Sequence, residues 1–269
     1  MSSAVDPFAG LKARQRAMWS SFAPTATFTT PVAAHLVEFA GIAPGEAVLD
    51  VGTGTGVVAV TAARAGARVS GLDLTPELLE VARLNGQVAR LPEIEWIEGD
   101  AEALPFPDGR FDVVVSQFGH MFAPRPDVAV AEMRRVLKPG GRIAFATWPP
   151  EHFVGRLFAF VARNSPPPPA GAAMPGQWGT PAVVAERLAE RFEAPFFSRG
   201  VMAFPALSLP HFREFQERSV GPVQALIEAA AADPARQEAL RREFEALAAP
   251  YHSGNVVRQE YLLTRATAR

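Results

Sequence analysis

Between Ala47 and Trp148 the chain alternates short β-branched runs with amphipathic segments, and no other feature narrows the fold so far. The runs are Ala47–Val51, Arg68–Asp73, Ile94–Gly99, Phe111–Gln117 and Gly141–Trp148, separated by helical segments at Val57–Ala65, Pro76–Ala89 and Asp127–Leu137. Strands and helices alternating at this spacing imply a parallel sheet with helices on both faces. Such strands are buried on both sides, which accounts for runs like Val113-Val114-Val115 without polar alternation.

Two helices are expected before this core, Leu11–Phe22 and Pro31–Ala40. After it come a helix over Glu151–Asn164, a stiff extended spacer at Pro166–Pro169, and a helix over Pro181–Phe192. A strand near Phe196–Phe204, a helical stretch over Leu209–Ala249 and a final strand over Asn255–Thr267 complete the chain. Many of the 25 prolines punctuate helices. Pro31, Pro76 and Pro181 each follow a threonine and open an amphipathic stretch, the pattern of an N-cap followed by proline in the first turn. Gly66 follows the first core helix as its expected C-terminal cap. No linker divides the chain, so the expectation is one domain over residues 1–269. Its expected parts are a core over residues 30–148, flanking elements over 1–29 and 149–254, and a last strand over 255–269.

Composition removes several function classes. The 269 residues include no cysteine, which excludes a thiolate nucleophile, a redox dithiol and cysteine-ligated zinc. A formal charge of −2 gives no broad footprint for nucleic acid. No run of 18 apolar residues suggests a membrane span, and Asp6 and Pro7 interrupt what a signal peptide would keep apolar. The segment Leu11–Phe22 imitates a transit peptide only in being basic and weakly amphipathic. The expectation is a cytoplasmic enzyme without a metal site, with a homodimer left open.

The chemistry concentrates where the first strand turns into the first core helix, at Asp50-Val51-Gly52-Thr53-Gly54-Thr55-Gly56. Glycines there permit positive φ and close approach of a ligand to the main chain. The helix that follows points its positive end at the same space. The spacing is G-x-G-x-G, whereas a dinucleotide fold favours G-x-G-x-x-G. Asp73 closes the second strand, where a carboxylate can accept hydrogen bonds from both ribose hydroxyls. Asp100, Ala101 and Glu102 follow the third strand and offer acceptors and a backbone N–H beside an adenine edge. Lys138-Pro139-Gly140-Gly141 forms a tight turn into the fifth strand.

With these residues the sequence resembles the class I S-adenosylmethionine-dependent methyltransferases, in particular the ubiquinone/menaquinone C-methyltransferase-like group of small-molecule enzymes. The matching positions are Asp50–Gly56, Asp73, Gly99-Asp100-Ala101 with Leu104-Pro105-Phe106, Phe111–Val114 and Leu137–Gly141, so the resemblance covers about Thr30–Trp148. It implies an α/β, Rossmann-like seven-stranded sheet, mostly parallel with the last strand antiparallel. N-terminal lid helices and a helical insertion before the last strand would surround it. It also implies S-adenosyl-L-methionine as cofactor. Gly52 and Gly54, with Thr53 and Gly56 in the same turn, would line its methionine and ribose parts, and Asp50 would help place its amino group. Asp73, followed by Leu74, would bind ribose; Asp100 and Ala101, with Glu102, would hold adenine; Ser116 and Gln117 would sit near the methionine tail. The long helical stretch Leu209–Ala249 departs from the quinone-modifying relatives and puts a quinone substrate in doubt.

Two other readings share parts of this pattern. A nucleotide-cofactor oxidoreductase would share the glycine turn and Asp73, but not Asp100-Ala101 or Lys138–Gly141. No Ser/Tyr-x-x-x-Lys pair is evident either, the only lysines being Lys12 and Lys138. A non-catalytic S-adenosylmethionine-binding protein would keep every motif. The Asn/Asp-Pro-Pro-aromatic signature of many amino-group methyltransferases is replaced by Ser116-Gln117-Phe118-Gly119, which favours carbon or oxygen as the methylated atom. Of five histidines, His120 and His152 lie past strand ends on the expected side of the sheet and are the candidate general bases. Aromatic residues outside the matched core, among them Trp19, Phe22, Trp178 and Phe215, suggest a small apolar acceptor, each weighed against a simple core role.

Overall fold

The computed structural model describes residues 6–269. Its N-terminal helices are α1 (Ala9–Trp19), the single turn α2 (Ala23–Ala26) and α3 (Thr30–Ala40). The alternating region then gives β1 (Ala47–Val51), α4 (Val57–Arg64), β2 (Arg68–Asp73), α5 (Pro76–Val88), β3 (Glu95–Glu98), β4 (Phe111–Gln117), α6 (Pro126–Val136) and β5 (Leu137–Thr147). Helices α7 (Phe153–Asn164) and α8 (Pro181–Leu188) lead to β6 (Phe196–Pro205). Three further helices, α9 (Leu209–Ser219), α10 (Gly221–Ala229) and α11 (Pro234–Ala248), precede β7 (His252–Ser253) and β8 (Val256–Thr267).

The sheet runs β3-β2-β1-β4-β5-β8-β6, with β7 pairing on β8 outside this path. Pairs from β3 through β5 are parallel, and β8 is antiparallel to both β5 and β6. Seven strands in line with the last one reversed match the expected fold, and the two-residue β7 makes the eighth. Strand order reverses between β1 and β4, so the crevice at their carboxyl ends is where such a sheet takes a ligand. Val48, Leu49, Val113, Val114 and Val115 are fully buried, as strands covered on both faces require.

Local chemistry sets the helix ends. In α3, Val32, Ala33, Leu36, Val37 and Ala40 are buried on one face. Gly41, at φ 64°, stops the helix, its N–H bonding back to Glu38 and Val37. Arg142 of β5 then satisfies the freed carbonyls of Ala40 and Gly41 and pairs with Glu46 at 2.7 Å. Thr75 and Thr180 stand at N-caps before Pro76 and Pro181, yet neither hydroxyl caps its helix. For α3 the N-cap is Thr29 rather than Thr30, again without a side-chain bond. Preset proline φ angles, rather than threonine hydroxyls, mark these starts.

Several boundaries differ from expectation for identifiable reasons. The segment Leu209–Ala249 breaks into three helices at Gly221-Pro222 and Asp233-Pro234, and Asp233 caps α11 through the N–H of Arg236. The motif Lys138–Gly141 is a bulged entry into β5 rather than a turn before it. Leu137 already pairs with Phe111, and Lys138 binds Asp112 at 2.7 Å. It stabilises the end of the sheet opposite the carboxyl-end crevice. No helix among the described residues is long and apolar enough to cross a membrane.

Trp96 of β3 wedges the glycine turn from outside. A Cβ on Gly56 or Gly71 would lie 2.6 Å or 2.8 Å from its ring. Both glycines therefore make room for indole, and Trp96→Ala should lower stability by about 3 kcal/mol through the cavity left behind. Urea denaturation read by circular dichroism measures this; an unchanged midpoint would contradict the wedge.

Candidate active site

The turn after β1 is drawn tightly onto its neighbours. The N–H groups of Gly52 and Thr53 both bond to Leu72 O, at 2.8 Å and 2.9 Å, and Gly52 adopts φ 68°. Its Cα faces the backbone of Gly119 just past β4: a Cβ on Gly52 would stand 2.7 Å from Gly119 Cα. Only glycine at both positions allows the tips of β1 and β4 to approach so closely. Phe118 bends the chain into this contact at φ 62°, a conformation costing a non-glycine residue about 1–3 kcal/mol. Its ring stacks on Trp148 with centroids 3.8 Å apart.

Three acids ring the space above the turn. Asp50 is buried, with Oδ2 accepting from the Thr53 hydroxyl at 2.6 Å and the Ala59 N–H at 3.1 Å. Its Oδ1 has no partner. Burial pushes the Asp50 carboxyl up to about 7. Asp73 clips the glycine turn to β2, accepting from Gly54 N–H at 2.7 Å and Thr75 N–H at 2.9 Å. Burial raises its pKa despite those bonds. Asp100 receives the Glu102 N–H at 2.9 Å and stands 2.6 Å from the ammonium of Lys12.

Lys12 belongs to α1, which thereby docks on the carboxyl-end edge of the sheet. Its buried ammonium also lies 2.7 Å from Asp6 and 2.6 Å from Glu102. Burial opposes the charge, but the bonds to Asp100, Asp6 and Glu102 raise the Lys12 pKa overall. Arg125 completes the network, 2.6 Å from Glu102 and 3.3 Å from Asp6. Gln15 adds a bond to Phe122 O at 3.0 Å, and Arg16 pairs with Glu98.

One cavity of about 220 Å³ runs from this acidic end into an aromatic chamber. Gly52–Thr55, Leu72–Thr75 and Gly99–Ala101 line the first part. The second lies among Trp19 of α1, Phe118 and Trp148 at strand ends, Phe158 of α7, Met202 of β6, and Val223 of α10. Thr25 bonds across to Ser219 O at 3.3 Å, joining the N-terminal helices to the α9–α10 insertion above the chamber.

The expected site residues separate in this geometry. Asp50, Gly52, Thr53, Gly54, Asp73, Leu74, Asp100, Ala101 and Gln117 line the cavity. Gly56, Ser116, Glu102 and His152 are not among its lining residues. Gly56 caps α4 beside Trp96; Ser116 bonds Val51 O at 2.7 Å and receives the His120 N–H; Glu102 is held by Lys12 and Arg125. His152 precedes α7 and points to Glu260, 2.9 Å away. His120 borders the cavity, but its ring packs against Phe145 and Trp178 at 4.5 Å and 4.6 Å, with neither nitrogen partnered. Burial, with Arg187 nearby, lowers its pKa to about 3, so the imidazole is neutral and weakly basic. His120 therefore lacks the setting of a general base tuned near neutrality, and His152 lies outside the cavity lining. The sequence reading missed Lys12, Gln216 and Gln259 as cavity residues; only Lys12 carried a signal, as a rare lysine on a helix of apolar and basic residues.

A methyltransferase-domain model matches residues 49–145, the strands and turns that build the acidic end. An uncharacterized protein of Mycobacterium tuberculosis is 36% identical over 234 residues, 87% of this chain and 85% of its own. The demethylmenaquinone methyltransferase of Thermus thermophilus is 36% identical over 167 residues, 60% of this chain and 74% of its own. The geranyl diphosphate C-methyltransferase of Streptomyces coelicolor, solved with S-adenosyl-L-homocysteine, shares the fold at a TM-score of 0.53 and 17% identity, covering 89% of this chain and 80% of that one. The chain belongs to the class I S-adenosylmethionine-dependent methyltransferases that act on small molecules. Its cofactor is S-adenosyl-L-methionine, and the acidic end suits it. Three carboxylates and an unpartnered Asp50 oxygen favour an ammonium and a sulfonium, whereas a dinucleotide's pyrophosphate would meet like charge.

Replacing Lys12 with methionine leaves three acids without their shared cation. Lys12→Met should cost on the order of 3 kcal/mol and expose α1 to limited proteolysis. Wild-type stability and wild-type cleavage of α1 would contradict the latch.

Proposed function

We propose that this enzyme transfers the methyl group to carbon or oxygen of a small apolar acceptor held in the aromatic chamber. The observation carrying this reading is that the chamber continues directly from the acidic end and is lined there by aromatic and aliphatic side chains. The charged side chains on the cavity wall, Lys12, Asp50, Asp73 and Asp100, all belong to the cofactor end. When bound, S-adenosyl-L-methionine supplies an electrophilic methyl group on a positively charged sulfur.

The chain's own residues bind, orient and exclude water. Asp50 Oδ1 would accept from the cofactor's amino group, and the main chain at Gly52 and Gly54 would hold its methionine and ribose parts. Asp73 and the adjoining Leu74 would hold the ribose, and Asp100 with Ala101 the adenine. Phe118, fixed by stacking on Trp148, forms a wall beside the transfer path. Orientation of this kind is worth roughly 7–11 kcal/mol of barrier in favourable cases. His120 takes no proton in this scheme; its neutral ring supports the chamber wall with Phe145 and Trp178.

Asp50 makes the cofactor step sensitive to pH. Its carboxyl, near 7 in the free protein, is protonated below that value and ionised above it. A cationic amino group favours the ionised form, so affinity for S-adenosylhomocysteine should rise between pH 6 and 7.5, by up to about tenfold per unit below pH 7. Folding shows the opposite sign. A pKa raised in the folded state favours the fold at low pH, and this contribution is lost as pH rises through about 7. Asp50→Asn should therefore bind S-adenosylhomocysteine at least tenfold more weakly at pH 7.5, yet unfold at an equal or higher temperature than wild type. Calorimetric titration and thermal melts measure both; unchanged affinity or a flat pH profile in the wild type would refute the role of Asp50.

Acceptor class is read by release of S-adenosylhomocysteine across a panel of neutral aromatic, carboxylate and amine compounds. Turnover should be confined to neutral apolar acceptors. Turnover confined to charged ones would overturn the assignment.

A further inference from the structure

Three buried glutamines break the apolar lining of the chamber. On β8 the inward row reads Val257, Gln259, Tyr261, Leu263, and every member is buried. On α9 the inward row reads Phe212, Gln216, Ser219, also buried. Gln117 ends β4 beside Phe118. Gln117 is 9% exposed, Gln216 4% and Gln259 5%, and all three line the cavity.

These amides lack sufficient protein partners. Gln117 Nε2 donates to Thr29 O at 3.3 Å, and its Oε1 is buried without a partner. Thr29 offers a backbone carbonyl, which only accepts, so the nitrogen must face it and the oxygen must be the free atom. Among the described residues, no hydrogen bond joins the side-chain amide of Gln216 or Gln259 to another group. Gln117 Oε1 is thus a buried acceptor left unpaired, while the unpartnered Gln216 and Gln259 amides are exposed only to the cavity; leucine or methionine would fill either row without desolvating an amide. Three such amides among the residues lining one cavity point to a ligand that completes them.

We propose that Gln216 and Gln259, with Gln117 Oε1 at the strand-tip end, determine acceptor specificity by selecting an apolar molecule that carries a neutral hydroxyl. This rests on the methyltransferase reading of the cavity and adds the functional group that the acceptor presents. A hydroxyl both donates and accepts. It can satisfy the free Gln117 oxygen and still receive from a glutamine N–H, whereas a carbonyl cannot donate. A carboxylate or ammonium would enter a wall without a counter-charge and lose its hydration. A site built to pair a hydroxyl rejects the analogue lacking it far more strongly than an apolar pocket rejects an added methylene. The assignment also gives the α9–α11 insertion a purpose, since α9 carries Gln216 into the chamber.

The test uses the whole enzyme saturated with S-adenosylhomocysteine and four probes of one shape: 2-naphthol, naphthalene, 2-naphthoate and protonated 2-naphthylmethylamine. Equilibrium dialysis should show wild type binding 2-naphthol at least tenfold more tightly than each of the other three. In Gln216→Met/Gln259→Met the margin over naphthalene should fall to about twofold, with S-adenosylhomocysteine affinity unchanged and the thermal midpoint equal or higher. If the double variant fails to fold, each single variant should lose part of the margin. No preference for 2-naphthol in wild type, including no binding of it, overturns the proposal; so does a preference that survives in the variants. Failure of wild type to bind S-adenosylhomocysteine would instead overturn the cofactor reading, which separates the two.

Discussion

The contact between Gly52 and Gly119 sets the geometry on which the site depends. It brings the ends of β1 and β4 within a distance that no side chain permits. The glycine turn is then pinned from the β2 side by Leu72 O and the Asp73 carboxylate. Phe118 accepts a strained backbone to reach this contact, and the reward is its place against Trp148, between the acidic end and the aromatic chamber. One backbone approach therefore builds both the floor of the acidic end and the first wall of the aromatic chamber.

Charge divides the cavity in the same way. Carboxylates gather at successive strand tips, where burial raises the pKa of Asp50 and Asp73 and makes each receptive to a cation. Beyond Phe118 the polar lining is neutral. The helix α1 spans both halves: Lys12 grips Asp100 at one end, and Trp19 lines the chamber at the other. Docking of this helix thus completes the two halves of the cavity together.

The core sheet was legible because its signals are local. Strand runs from Ala47 to Gln117 and the glycine turn follow from residues adjacent in sequence, and three of the five core strands begin and end as the pattern implies. Roles that depend on side-chain direction were less legible. Gly56 lies in the right turn, yet its Cα faces Trp96; Ser116 lies at the right strand end, yet its hydroxyl is spent on Val51. His120 stands at the expected edge, but Phe145 and Trp178 enclose it, and His152 turns to Glu260. Gln216 and Gln259 sit among apolar neighbours in segments that only tertiary packing brings over the strand tips. Nothing in their local sequence distinguishes them from surface glutamines.

The central claim is that the cofactor lies across the Gly52–Thr55 turn with its amino group at Asp50. A crystal structure of the complex with S-adenosylhomocysteine tests it most directly. The account requires the amino nitrogen within hydrogen-bond distance of Asp50 Oδ1, with the sulfur directed toward Phe118 and the chamber. A ligand seated elsewhere, or one whose amino group leaves that oxygen unpartnered, would contradict it.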